Sequence, residues 1–155
     1  MNRGIDIHTH FVPASFPAYA GAEANVPWPS MRPDGCGHAD VIINGANYRT
    51  VPETSWDAAQ RMAEMDEAGL RRHVVSPMPE LLSYWMSPKD GAALIGHVNE
   101  EIAALAEAHP DRFSGIGGVP LQDVDLAIRA LEDIRATRRL VGVEIATHVN
   151  GVSIG

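Results

Sequence analysis

Cysteine is almost missing from this chain: Cys36, set between two glycines, is the only one in 155 residues. No disulfide can form within the chain, so packing and hydrogen bonds must hold the fold, and a reducing cytoplasm suits it best. Cys36 itself reads as a plain loop thiol. Positive charge is also scarce, with twelve Lys and Arg against twenty Asp and Glu and a net charge of −8 with the seven His neutral. No basic stripe exists to neutralise phosphates, which argues against a nucleic-acid partner. The nearest approach to one, Arg138-Arg139, stands beside Glu132 and Asp133 and is expected at a solvated helix end. Long apolar runs are lacking as well. Nothing approaches the roughly 18 residues that a membrane span needs, so no membrane partner is expected. Met1-Asn2-Arg3 leads straight into a strand containing Asp6, without the apolar core of a secretion signal. The expectation is a cytoplasmic protein.

What is present describes a globular chain. Hydrophobic residues make up 45% and charged residues 21%, and the length suits one domain with a real core. Ile5-Asp6-Ile7-His8 is a β-prone run, followed by an irregular stretch over 11–54 rich in Pro, Gly and Asn. So long a connection inside a compact domain is uncommon and is usually functional. Within it, Asp40 to Tyr48 reads as a hairpin, with Val41-Ile42-Ile43, a turn at Asn44-Gly45 and a return through Asn47-Tyr48-Arg49. Regular alternation then begins. A helix runs from a Thr54/Asp57 capping pattern to Gly69, with Trp56, Ala59, Met62, Ala63 and Leu70 at helical spacing. The strand His73–Ser76 follows, and Ser87-Pro88 opens a second helix with Leu94, Ile95, Val98, Ile102 and Leu105 on its apolar face. A Gly-rich strand from Phe113 to Val119 comes next, then a helix capped by Asp123 and a fourth strand over Val141–Ala146.

Strict alternation of strand and helix means parallel strands joined by crossover helices, in an open doubly wound sheet or a closed barrel. The fourth strand is followed by only a few residues and no helix to cover it, and an eight-fold barrel needs about 250 residues. The expected architecture is therefore α/β, a (β/α)8 TIM barrel of which this chain holds three βα units plus the fourth strand. Residues 1–155 would be the N-terminal half of a single barrel domain, with 11–54 as an insert after strand 1 and the C-terminal half absent.

The segment richest in chemistry is Asp6-Ile7-His8-Thr9-His10. Side chains alternate faces along a strand, so His8 and His10 point the same way, about 7 Å apart along the chain. Two imidazoles so placed converge on one divalent cation, and the C-terminal end of a barrel strand is where active sites lie. Asp6 shares that parity and lies deeper, where it would orient a ligand or accept a hydrogen bond from one. At least one further protein ligand must come from elsewhere. His38, His73, His97 and His109 read as surface or packing residues. His148 differs, because it follows the fourth strand and would emerge at the same end as the pair, lining the site. Tyr84 and Trp85, just past the second strand, are expected either as an aromatic wall for a conjugated substrate or as packing beneath the loop.

Several segments together resemble one family. Ile5-Asp6-Ile7-His8-Thr9-His10-Phe11-Val12-Pro13 resembles the opening strand of the amidohydrolase-related metal enzymes, in particular the branch typified by aminocarboxymuconate-semialdehyde decarboxylase. The resemblance continues through Asn47-Tyr48-Arg49 and Trp56-Asp57, through Arg61-Met62-Ala63-Glu64-Met65-Asp66 with Gly69, and through His109-Pro110-Asp111-Arg112-Phe113. It extends to Val119-Pro120-Leu121-Gln122-Asp123 and to Gly142-Val143-Glu144-Ile145 before Thr147-His148. It implies a barrel holding one divalent metal, usually zinc, in enzymes that mostly decarboxylate rather than hydrolyse and are often homodimers. It also implies metal ligation by His8 and His10 and binding of a substrate carboxylate by Arg49. The remaining ligands and the catalytic histidine of the family come from later strands, so no catalytic residue is expected in this chain and the fragment alone would be inactive. The expected activity is non-oxidative decarboxylation of a small unsaturated or aromatic carboxylic acid. The alternatives are hydrolysis of a lactone or amide on the same scaffold, and a non-catalytic half-barrel that serves as an interaction module.

Overall fold

The structure, a computed structural model, describes residues 4–23, 25–137 and 139–155. The Met1-Asn2-Arg3 lead and Arg138 of the expected Arg138-Arg139 helix end lie outside the described residues. Strand β1 (Gly4–Phe11) is followed by three insert strands, β2 (Ser30–Pro33), β3 (His38–Ile43) and β4 (Ala46–Pro52). Helix α1 (Ala58–Glu67), β5 (Leu70–Pro77), α2 (Pro88–Ala108), β6 (Phe113–Gly118), α3 (Val124–Thr137) and β7 (Leu140–Glu144) then alternate. A short hairpin, β8 (His148–Val149) and β9 (Val152–Ser153), comes last.

The main sheet has the order β1-β5-β6-β7, each neighbouring pair parallel. Strand order equals chain order, which decides between the two architectures. A doubly wound sheet reverses direction at a switch point, whereas a barrel steps always the same way. Right-handed crossovers that never reverse put every helix on one face of the sheet. On β6 that face carries Phe113, Gly115 and Gly117. A methyl added at Gly115 would come within 2.7 Å of Ile102 in α2, and one at Gly117 within 2.8 Å of Ile134 in α3. The core follows this seam: Met65, Val75, Val98, Ile102, Phe113, Ile134 and Leu140 are buried together.

Local signals explain the helices. Ser87 caps α2 by accepting the Asp90 amide, and the α2 residues Leu94, Ile95, Val98 and Ile102 are buried, as their spacing requires. Asp123 accepts the Leu126 amide at 2.9 Å at the start of α3. Gly69, at φ +69°, terminates α1 in the left-handed region. Three details differ from expectation. Asp57 caps α1 by accepting the Gln60 amide, while Thr54 lies in a 3-10 turn (Glu53–Ser55). The face of α1 that is buried carries Arg61 and Met65, not Ala59 and Ala63. Arg139, expected beside Glu132 and Asp133, instead reaches Glu107 at the end of α2, at 2.8 Å.

The insert is more ordered than its composition announces. The Asn44-Gly45 turn has both residues at positive φ, 54° and 72°, the conformation that matches strand twist in a two-residue hairpin. β2 adds a third antiparallel strand beside β3, and Asp40 ties the three together by accepting from Arg32 at 2.8 Å and Thr50 at 2.6 Å. Ala39, Val41 and Val51 are buried, so one face of this small sheet lies on the core.

Candidate metal centre

His8 and His10 stand at the C-terminal end of β1 with ring centroids 5.0 Å apart, edge to face. They share a side, as the spacing demands. His10 pairs in register with Ser76, on the sheet face opposite the helices. Its Nδ1 lies 3.0 Å from the Pro77 carbonyl oxygen and 3.2 Å from Ser76 Oγ. A carbonyl oxygen only accepts, so that contact requires the proton on Nδ1 and leaves the Nε2 lone pair free for a cation. His8 is more exposed.

Asp6 is not where strand parity puts it. The register with β5 slips between Asp6, paired with His73, and Thr9, paired with Val75, so β1 carries one extra residue there. That bulge takes Asp6 out of phase with His10. The Asp6 carboxylate accepts the His8 backbone amide at 2.9 Å rather than an imidazole N–H.

The neighbourhood also contains a residue that the hydrophobic pattern concealed. Arg61 of α1 is only 6% exposed and donates to three carbonyls: His10 and Thr54 at 2.7 Å each, and Ser55 at 3.3 Å. Burial pulls its pKa below the usual arginine range. Arg61 thus holds the backbone of the second histidine of the pair. Its position on α1, one turn past the cap, was the available signal.

Among the described residues no three His, Cys, Asp or Glu side chains come together as a cation site. The pair is half a donor set: neutral imidazoles, one with its tautomer fixed, suited to a divalent ion that takes nitrogen ligands. The other histidines make surface or packing contacts. His38 is a surface residue 3.8 Å from Asp34, His97 bonds the Ser15 carbonyl, and His109 and His73 pack against Phe113. Both ring nitrogens of buried His73 lack hydrogen-bond partners among the described residues, and burial, with Arg61 nearby, lowers its pKa.

Of the expected substrate-side residues, His148, Tyr84 and Trp85 line a cleft of about 380 Å³ together with Tyr48, Glu80 and Asn150, whereas Arg49 is not part of its lining. His148 opens β8, with its Nδ1 2.9 Å from Thr147 Oγ1, and is exposed to the cleft. The β8–β9 turn, Asn150-Gly151, is the same two-residue signal as in the insert. Trp85 is half-exposed on the wall, whereas Tyr84 is 6% exposed. Burial pushes the Tyr84 phenol up. Arg49, exposed on β4, pairs with fully buried Val41, so it leaves the hairpin on the face turned to the core. Its guanidinium sits 5.9 Å from the centre of the Tyr48 ring and makes no hydrogen bond or ion pair among the described residues.

A parallel sheet whose strands step in chain order, with every crossover on one side, defines part of a (β/α) barrel, and the His-x-His pair stands where its first strand ends. The family follows from comparison: the amidohydrolase profile matches residues 5–154, and the chain belongs to that family. Curated relatives include the 2-amino-3-carboxymuconate-6-semialdehyde decarboxylase of Dictyostelium discoideum, 29% identical over 97% of this chain and 42% of the relative. The enzyme of the same name from Caenorhabditis elegans is 28% identical over 82% of this chain and 32% of its own length. The chain therefore spans less than half the length of the curated relatives it matches. Among solved structures, the apo form of Metarhizium anisopliae IDCase superposes with a TM-score of 0.70 at 19% identity, over 98% of this chain and 44% of that one. A dihydroxybenzoic acid decarboxylase from Polaromonas, solved with manganese and 2-nitroresorcinol, gives 0.61 at 20% identity, over 92% and 38%. At such identities the two structures speak for the fold, and both cover this chain nearly end to end with well under half of themselves.

Proposed function

We propose that this chain forms the N-terminal half of a (β/α)8 domain, with 11–54 as its insert, in a metal-dependent decarboxylase of a small unsaturated or aromatic carboxylic acid. The observation that carries the reading is the His8/His10 pair, with rings 5.0 Å apart and the His10 tautomer fixed by Pro77. The decarboxylase relatives, each matched over most of this chain, support the same chemistry. His8 and His10 would hold one divalent ion, which we assign as zinc on the strength of two imidazole donors. Bound there, the ion would acidify water and polarise an anionic substrate at neutral pH.

The chain's own residues supply binding and orientation. Arg49 has an unpaired planar fork that matches a carboxylate bidentately. His148 and the aromatic rings of Tyr48 and Trp85 would bracket the substrate's conjugated body in the cleft. The remaining ligands and the proton-transfer group would come from strands beyond β7, so this half is inactive by itself. One free thiol, Cys36, and no disulfide suit a cytoplasmic enzyme, and a homodimer is the proposed assembly.

His8→Ala and His10→Ala, made separately in the full-length protein, test the assignment. Each is expected to lose at least 100-fold in metal affinity, by the order of magnitude seen when a ligand or its partner is removed. Metal content by mass spectrometry and release of carbon dioxide are the measurements. Retention of stoichiometric metal by both variants would sink the proposal, and water uptake with ring opening in place of carbon dioxide would make the enzyme a hydrolase.

A further inference from the structure

Besides its apolar face, the insert hairpin meets the barrel through a hydrogen bond. Tyr48 donates its hydroxyl to Glu80 Oε1 across 32 residues of sequence. Glu80 sits in a tight 3-10 turn (Pro79–Leu82) directly after β5, anchored by fully buried Leu81 and Leu82 and by the Ser83 hydroxyl on its own carbonyl. Its other carboxylate oxygen is buried and has no hydrogen-bond partner among the described residues. Tyr48 is the extra residue of a β-bulge: Val41 pairs with Arg49 and Ile42 with Asn47, which leaves Tyr48 unpaired. A bulge re-aims side chains, and here the ring it turns out lies under the Arg49 guanidinium at 5.9 Å.

We propose that Glu80 is a positioning residue for Arg49, acting through Tyr48, so that the loop after β5 sets where the insert presents its cation at the barrel mouth. The inference rests on the reading of Arg49 as the carboxylate-binding residue. Tyr48 contacts both groups, Glu80 through its hydroxyl and Arg49 through its ring. Glu80 spends its accessible acceptor on the tyrosine rather than on the arginine, and Arg49 is left with a free fork held over a ring. The bond to Glu80 thus fixes the ring over which Arg49 lies. The bulge matters for the same reason, because a regular strand would turn Tyr48 and Arg49 to opposite faces.

The arrangement has an electrostatic rival that predicts the opposite sign. If Glu80 acted only as a nearby negative charge, removing it would strengthen binding of an anion. Four variants of the full-length protein separate the two: Glu80→Ala, Glu80→Gln, Tyr48→Phe and Arg49→Ala. Hydrogen exchange of the amides over 44–50 is expected to quicken about 5- to 10-fold in Glu80→Ala and Tyr48→Phe, and to stay at the wild-type rate in Glu80→Gln, whose amide oxygen still accepts from Tyr48. Benzoate, followed through the tryptophan fluorescence that Trp85 brings to the cleft, is expected to bind about 3- to 10-fold more weakly in the first two variants than in wild type or Glu80→Gln. In an Arg49→Ala background those differences should vanish, which a merely structural loosening would not produce. Unchanged exchange, or tighter benzoate binding in Glu80→Ala, overturns the positioning role. Should Arg49→Ala leave benzoate affinity untouched while exchange behaves as expected, the carboxylate-binding reading of Arg49 falls first and the positioning role falls with it.

Discussion

Replacing Arg61 with alanine tests whether a buried cation, rather than apolar packing, locks the end of β1. The guanidinium is 6% exposed and its hydrogen bonds run to carbonyl oxygens of His10, Thr54 and Ser55, two of them at 2.7 Å. Charge-assisted bonds contribute about 1.5–3 kcal/mol each, and they are not additive because one group makes all three. Against them stands the cost of holding a cation away from water, which the lowered pKa records. Truncation leaves the carbonyls without their donor and a void beside Met65, so a loss of about 3–5 kcal/mol is expected. For a chain of this size each kcal/mol is worth roughly 2–4 °C, which puts the fall in Tm at roughly 10–15 °C. Arg61→Lys keeps the charge but not the fork and should lose about half as much. Urea unfolding of metal-free protein, with the slope checked against wild type, gives the number. A change under about 0.5 kcal/mol, the size of an ordinary surface substitution, would show that the three carbonyls find other donors and that the reasoning is wrong.

Two further outcomes follow from buried polar groups elsewhere. Asn99 of α2 closes a two-bond ring with Gly118, donating to its carbonyl at 2.9 Å and accepting its amide at 2.8 Å. Asn99→Leu should cost about 2–4 kcal/mol by denaturant titration, because both backbone groups are left unsatisfied; a neutral result would mean that β6 does not depend on α2 for its end. His73 has its pKa lowered by burial, with Arg61 adding to the effect, so the unfolded chain binds the proton more readily than the fold does. Stability is therefore full above the unfolded value of about 6.5 and falls as the pH drops below it. His73→Phe should flatten that limb of a stability profile, and a variant that keeps the same slope between pH 6.5 and 5 would refute the assignment.

The periodic parts of this fold were legible in the sequence because each was signalled twice, by spacing and by a terminator. The α2 helix has Ser87 and Pro88 at one end, His109-Pro110 at the other and an apolar stripe between, and the structure reproduces it. The Asn44-Gly45 hairpin and the parallel order are of the same kind. What escaped was information that parity and hydrophobicity do not carry. A single extra residue in β1 reverses the face of Asp6, and nothing in Asp6-Ile7-His8 marks a bulge. α1 buries an arginine, so its inward face looks polar and the alanines at its surface look like core. β2 shows only as Ser30-Met31-Arg32-Pro33, a run too short and too polar to stand out until β3 supplies its partner. The Tyr48–Glu80 contact joins segments 32 residues apart and has no local signature at all.

His8 and His10 are equivalent in the sequence and unequal in the structure, and the inequality has a consequence. His10 is held twice over, its carbonyl by Arg61 and its ring by Pro77 and Ser76, so α1 and β5 both fix it before any cation arrives. Among the described residues His8 is held by the Asp6 carboxylate on its amide, and its ring has an edge-to-face contact with the His10 ring but no hydrogen bond. A ligand fixed in advance loses little freedom on coordination, whereas one that is not must be ordered by the ion. Removing the His10 ring therefore takes away a structural hydrogen bond as well as a ligand. Metal-free His10→Ala should be less stable than wild type by about 1 kcal/mol, while metal-free His8→Ala should match wild type within about 0.5 kcal/mol. Both should lose the ion. Equal stabilities for the two metal-free variants would mean that the Pro77 contact contributes nothing until the ion is bound, and that the first strand of this barrel is not set in advance.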